Sequence, residues 1–214
     1  MKRKENKYIA KPRAGPHKIE GCLTLGFLVK EVLKYAKTSR EVKKIVNANK
    51  ILIDKKPRKD LNFPVGLMDI IEVPETKEHF KILIDDKGRL TLHKITKEES
   101  NQKTCKIIGK TCLKKKKIQL NLYDGKNIIL DKDAYSVGDS VIIDLEKNKV
   151  IKHLKLEKGA SVLLIGGSYL GQVGILEEIQ EQEGNLPTKI ILTLDKDKIE
   201  TRKEFVFVID KHKK

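Results

Sequence analysis

Between Leu25 and Ala36 the apolar positions recur every three or four residues. Leu25, Leu28, Val29, Val32, Leu33 and Ala36 form one stripe, and Lys30, Lys34 and Lys37 take the opposite side. That spacing predicts an amphipathic helix. Thr38 or Ser39 suits the cap of a second helix running to about Ala48, whose inward face is Val42, Ile45 and Val46. Arg40, Lys43, Lys44 and Asn47 lie at i, i+3, i+4 and i+7 and share its other face. Asn49, tolerant of a left-handed backbone, is placed to end it.

Beyond Asn49 the helical period disappears. Lys50–Asp54 reads as a short strand, "KKPRKD" as a basic turn, and Val65–Val73 as a second strand. Phe80–Ile84 and Leu90–Ile95 flank a turn at Asp85–Gly88, and Thr96 with Glu99 offers a capping box for about one helical turn. "IQLNLYDGKNIIL" alternates around Asp124–Gly125 as a hairpin. "VGDSVIIDL", "KVIKHLKL", "ASVLLIG", "KIILTLD" and "FVFVID" supply the remaining strands. Such even spacing predicts an α+β chain that is mostly β, built of small antiparallel barrels.

Charge changes the picture. The 214 residues carry 46 basic against 30 acidic side chains, net +16, which favours polyanionic partners. No apolar stretch approaches a membrane span, and the N-terminus lacks the apolar segment of a signal peptide. The six residues between Cys105 and Cys112 are not a zinc-ligand spacing, so no metal or cofactor is expected. Residues 1–21 form a basic arm broken by Pro12, Gly15, Pro16 and Gly21, a composition that orders only against a partner. His17, His93 and His153 have no companion acid or nucleophile at a recognisable spacing.

The glycines of "VLLIGGSYLGQVGIL" invite a nucleotide-loop reading. Gly166, Gly167, Gly171 and Gly174 do not follow G-x-G-x-x-G, however. A helix after them would contain Gly174 and bury only Ile175, Leu176 and Ile179, too little to cover a sheet. As β structure the stretch is coherent: strand Val162–Ile165, loop, return strand Val173–Ile175. "KGASVLLIGGSYLGQVGILEEI" (Lys158–Ile179) resembles a KOW motif, which implies a five-stranded barrel whose loops touch RNA.

"SREVKKIVNANKILIDKK" (Ser39–Lys56) resembles the RNA-binding domain named after small-subunit ribosomal protein four. Ser39, Arg40, Ile45, Ile51 and Ile53 carry the likeness; Asp54 stands for the domain's Asn, Asn49 for its glycine and Lys43 for its alanine. "GPHKIEGCLTL", "LKYAKTSREVKKI", "RKDLNFPVGLMDIIEV" and "KGRLTLHKIT" extend the resemblance, over nearly the whole chain, to the e-type protein-four family of the small ribosomal subunit. The resemblance implies a basic arm (1–21), an RNA-binding domain (22–75), a central β domain (76–157), a KOW barrel (158–210) and a basic tail (211–214). It further implies small-subunit rRNA and neighbouring ribosomal proteins as partners, a place in the cytoplasmic ribosome, and no catalysis or small-molecule substrate.

On this reading the RNA-facing residues are Lys2, Arg3, Lys4, Lys7, Lys11, Arg13 and His17 of the arm, with Lys34 at the end of the first helix. Ser39, Arg40, Lys43 and Lys44 follow on the second helix, then Lys55, Lys56, Arg58 and Lys59 in the turn, and Lys114 and Lys115 in a lysine run. Two alternatives compete. A KOW-containing assembly or elongation factor would share the barrel. A pseudouridine synthase would share the RNA-binding domain, but such enzymes carry a catalytic Asp in G-R-L-D, and "GRLT" here has Thr91 in its place.

Overall fold

A computed structural model describes residues 9–131, 133–181, 187–194 and 197–210, with Lys115 described by its backbone alone. The chain divides into two compact units. The first takes the chain to Leu83 together with Leu90–Lys103 and Asp144–Asn148; the second takes Ile84–Arg89, Thr104–Ile143 and the chain from Lys149 on.

In the first unit β1 (Cys22–Thr24) leads into α1 (Leu25–Phe27), whose single turn widens into a π turn, Leu28–Val32. The helix stops short of the predicted Ala36. Leu33 N–H reaches back to Leu28 O and Tyr35 N–H to Val29 O, and Lys34 between them is left-handed at φ 56°. Tyr35 then hydrogen-bonds Glu78, and this donor together with Lys94 holds the Glu78 carboxyl down at about 2. α2 (Ser39–Asn47) follows the sequence reading closely. Thr38 caps it in a reciprocal box with Glu41, and Asn49 closes it at φ 56°.

β2 (Leu52–Ile53) and β3 (Lys56–Pro57) form a tight hairpin through Asp54 and Lys55, both at positive φ as a two-residue turn of this hand demands. The predicted strand Val65–Val73 is two: β4 (Pro64–Gly66), paired with β1, and β5 (Ile70–Val73). A turn at left-handed Met68 divides them, closed by Asp69 N–H on Gly66 O. With β6 (Glu78–Ile84) and β7 (Leu90–Lys94) the sheet order is β3-β2-β5-β6-β7. Leu25, Leu28 and Val29, with Val42 and Val46 of α2, pack against Ile51, Ile53, Ile71 and Ile82 in one aliphatic core. Each such side chain, fully buried, contributes about 1.5–3 kcal/mol.

β8 (Gln102–Cys112), β9 (Ile118–Leu122), β10 (Asn127–Leu130), β11 (Ser140–Asp144) and β12 (Lys149–Leu154) form a sheet in the order β10-β9-β8-β11-β12. Its longest strand, β8, is absent from the strands read in the sequence, because Lys103, in step with buried Cys105 and Ile107, takes a position where alternation calls for an apolar residue. The last sheet, in the order β16-β15-β14-β13-β17, contains β13 (Ser161–Leu164), β14 (Val173–Gln180), β15 (Lys189–Leu194), β16 (Asp197–Arg202) and β17 (Val206–Val208). β16 also escaped the sequence reading: it is an edge strand, buries only Ile199 and is otherwise charged or polar. The glycine stretch ends in the strand β14, not in a helix, so no nucleotide loop forms. Gly171, at φ 91°, lies so close to the Asp85 carbonyl that a Cβ would sit 2.1 Å from its oxygen.

Candidate nucleic-acid interface

The amphipathic period of α2 decides what it shows to solvent. Val42 and Val46 are buried and Ile45 half-buried, so Ser39, Arg40, Lys43 and Lys44 stand exposed. The helix has one acid, Glu41, and the cap occupies it. Its carboxylate accepts the backbone N–H of Lys37 at 2.9 Å and of Thr38 at 3.2 Å, bonds that lower its pKa. Among the described residues Arg40, Lys43 and Lys44 enter no salt bridge. Three cations therefore stand exposed and outside any salt bridge on one face.

The basic turn is more divided than its composition suggests. Lys55 is committed inward: its Nζ lies 2.7 Å from the buried Glu72 carboxylate, which His79 also approaches at 3.8 Å. Its charge is already matched inside the unit. Arg58 is half-buried, its guanidinium 4.5 Å over the Phe63 ring. Lys56 and Lys59 are exposed.

From Ile9 on the arm lies against its own unit. Arg13 N–H donates to Asn62 O at 3.0 Å, and the Arg13 side chain makes a 3.4 Å surface pair with Asp60. Lys11 is exposed. His17 faces no solvent: its Nε2 is 2.9 Å from Asp69 Oδ2 and both side chains are 2% exposed. It is thus a buried structural residue, and a direct contact with RNA is sterically closed to it. Ile9 and Ala10 line one cleft together with Gly26 and Phe27, with Ser39 and Val42 of α2, and with Leu61 and Asn62.

Lys34 is exposed at the left-handed end of the π turn. Lys114 is exposed in a short 3-10 turn of the second unit. Lys2, Arg3, Lys4 and Lys7, the tail 211–214 and the Lys115 side chain lie outside the described residues. Lys18 and Lys37, outside the expected set of RNA-facing residues, are two further exposed cations of the first unit. Their place in the arm and just ahead of the Thr38 cap was the signal for them. Thr91 lies half-buried on β7 with its Oγ1 3.2 Å from His93 Nε2. Among the described residues no three His, Cys, Asp or Glu side chains cluster to hold a metal ion.

Residues 76–150 match the ribosomal family S4e, and residues 28–71 match the S4 domain. The chain is similar to small ribosomal subunit protein eS4 of Methanothermobacter thermautotrophicus, 38% identical over 97% of this chain and 86% of that protein. The protein of the same name from Archaeoglobus fulgidus is 36% identical over 98% of this chain and 87% of its own length. In structure it is similar to 30S ribosomal protein S4e from Thermoplasma acidophilum, with a TM-score of 0.75, 28% identity, and coverage of 88% of this chain and 95% of that one.

Proposed function

Because the chain belongs to the ribosomal S4e family, and is so a structural constituent of the small ribosomal subunit, we propose that it holds small-subunit rRNA chiefly on the outer face of α2. The observation that carries this reading is the set Arg40, Lys43 and Lys44, presented by one helix whose only acid is spent on its cap. Cations fixed along a helix track a phosphate backbone and release its counterions on contact. Arg40 can grip a phosphate through two N–H groups or stack on an unpaired base, whereas the lysines act as point charges. Lys56 and Lys59 extend this surface beyond the hairpin, and Lys11, Arg13 and Lys34 extend it along the arm and the first helix.

In the same reading the basic extensions 1–21 and 211–214 flank three folded parts: an RNA-binding domain (22–75), a central β domain (76–157) and a KOW-type barrel (158–210). Lys114 adds a contact from the central part, and neighbouring small-subunit proteins meet the remaining surface. The family is one of ribosomal proteins rather than enzymes, and we assign the chain no catalytic step.

The test is the triple reversal R40E/K43E/K44E in the full chain, titrated against naked small-subunit rRNA over a range of salt. Affinity should fall at least about a hundredfold, and the slope of log affinity against log salt should shrink by about 3. Circular dichroism should stay native. Undiminished affinity would take α2 out of the contact surface.

A further inference from the structure

Residues 9–21 carry proline, glycine and lysine and bury one residue only, His17. Such a segment has no apolar anchor of its own, yet it lies in a defined place on the first unit. The socket that receives His17 is built from three separate parts of that unit. Asp69 Oδ2 accepts His17 Nε2–H at 2.9 Å and the backbone N–H of Gly66 at 2.9 Å. An ionised carboxylate can only accept, which places a hydrogen on Nε2. Asp69 Oδ1 accepts Lys103 Nζ at 2.6 Å, and the same ammonium reaches Asp54 Oδ2 at 2.7 Å. Asp54 Oδ1 in turn accepts the N–H of Ile70 at 3.2 Å.

Shape completes the socket. A Cβ on residue 66 would lie 2.4 Å from His17 Cγ, so the imidazole occupies space that only glycine leaves open. Asp54 directly precedes the basic turn at Lys55 and Lys56. The network thereby joins the arm to the hairpin that carries the next cations. Since Asp69 keeps Lys103 and the Gly66 N–H when the imidazole is removed, the socket is able to survive loss of the arm.

We propose that His17 is a latch that sets the basic arm on the RNA-binding domain before rRNA arrives, a positioning residue that itself touches no RNA. It holds Lys11 and Arg13, a few residues ahead, on the same unit, with Arg13 against Asn62 and Asp60. Binding is then spared the chain entropy of ordering the arm. The inference rests on the reading that the arm contacts rRNA, and the experiment separates the two.

Four full-length proteins are titrated against naked small-subunit rRNA across salt: H17A, H17Q, K11E/R13E, and H17A combined with K11E/R13E. H17A should bind about tenfold more weakly, with a salt slope smaller by about 2, the number of cations released from position. H17Q, whose amide N–H reaches Asp69 in place of Nε2–H, should restore both. Added to K11E/R13E, H17A should cost nothing more. Hydrogen exchange should rise over residues 9–18 in H17A while α2 stays protected.

Native affinity in H17A overturns the latch and leaves the arm reading standing if K11E/R13E is weak. Native affinity in K11E/R13E removes the arm from the contact surface, and the latch with it. Unfolding of H17A and H17Q alike makes His17 a keystone of the core and also overturns the proposal.

Discussion

Two lysines of β8 are buried for different reasons. Lys103 lies between two carboxylates, so its charge is matched. Lys106 donates from its Nζ to two backbone carbonyls, of Lys203 at 3.1 Å and Glu204 at 2.7 Å, and the Glu204 charge offsets its burial only in small part. Burial, with a smaller push from the Lys203 charge, holds its pKa down at about 8. In the unfolded chain that ammonium keeps its proton to about 10.5. Between these values the unfolded state binds the proton and the folded state has released it, so stability rises with pH. Urea unfolding from pH 7.5 to 10.5 should show the native chain gaining up to about 3 kcal/mol relative to K106M across that window. A constant difference between the two would mean that Lys106 folds with its proton retained. Lys55 teaches a related lesson: it stands in a run of cations, yet Glu72, seventeen residues on, takes it inward. Composition marks a basic turn; only the fold says which of its charges are spent.

At the scale of elements, α2 was legible because everything that makes it is local. The Thr38–Glu41 box, the Val42–Ile45–Val46 stripe and left-handed Asn49 all lie within twelve residues. Replacing Thr38 with Ala removes the acceptor for the Glu41 N–H at 3.3 Å and should cost about 1 kcal/mol of stability in chemical unfolding. The loss should leave rRNA affinity near native, since Thr38 supplies no charge; an unchanged midpoint would mean that packing alone sets the helix start. The first helix was legible in position but not in length. Its apolar stripe continues to Ala36, which is indeed buried, but the backbone leaves the helix at Lys34 to bring Tyr35 to Glu78. β8 and β16 were hidden for opposite reasons, one by charges placed inside and the other by an edge position that buries little.

For the molecule as a whole, net +16 and the S4e family point the same way. Charges that neutralise phosphate make association strongly dependent on salt. Sedimented from lysate at roughly physiological ionic strength, about 0.15 M, the protein should travel with small-subunit particles, and it should leave them as salt approaches about 1 M. A protein found free at the lower salt would contradict the ribosomal assignment. The α+β, mostly β class follows from the even strand spacing, and two five-stranded sheets account for most of the second unit.

Taken alone, the order of residues determined the helix face that carries Arg40, Lys43 and Lys44, the hairpin turns, the β character of the glycine stretch and the family. All of these are written in local period and turn chemistry. Tertiary structure alone decided that His17 is an internal residue, that Lys55 is committed to Glu72, and that β8 could bury two lysines. Each depends on partners distant in the chain: His17 meets Asp69 at a separation of 52 residues, and Lys103 meets Asp54 at 49 and Asp69 at 34. A buried charge is tolerated only where a counter-charge or hydrogen-bond acceptors arrive to meet it, and that meeting is a property of the fold rather than of any stretch of sequence.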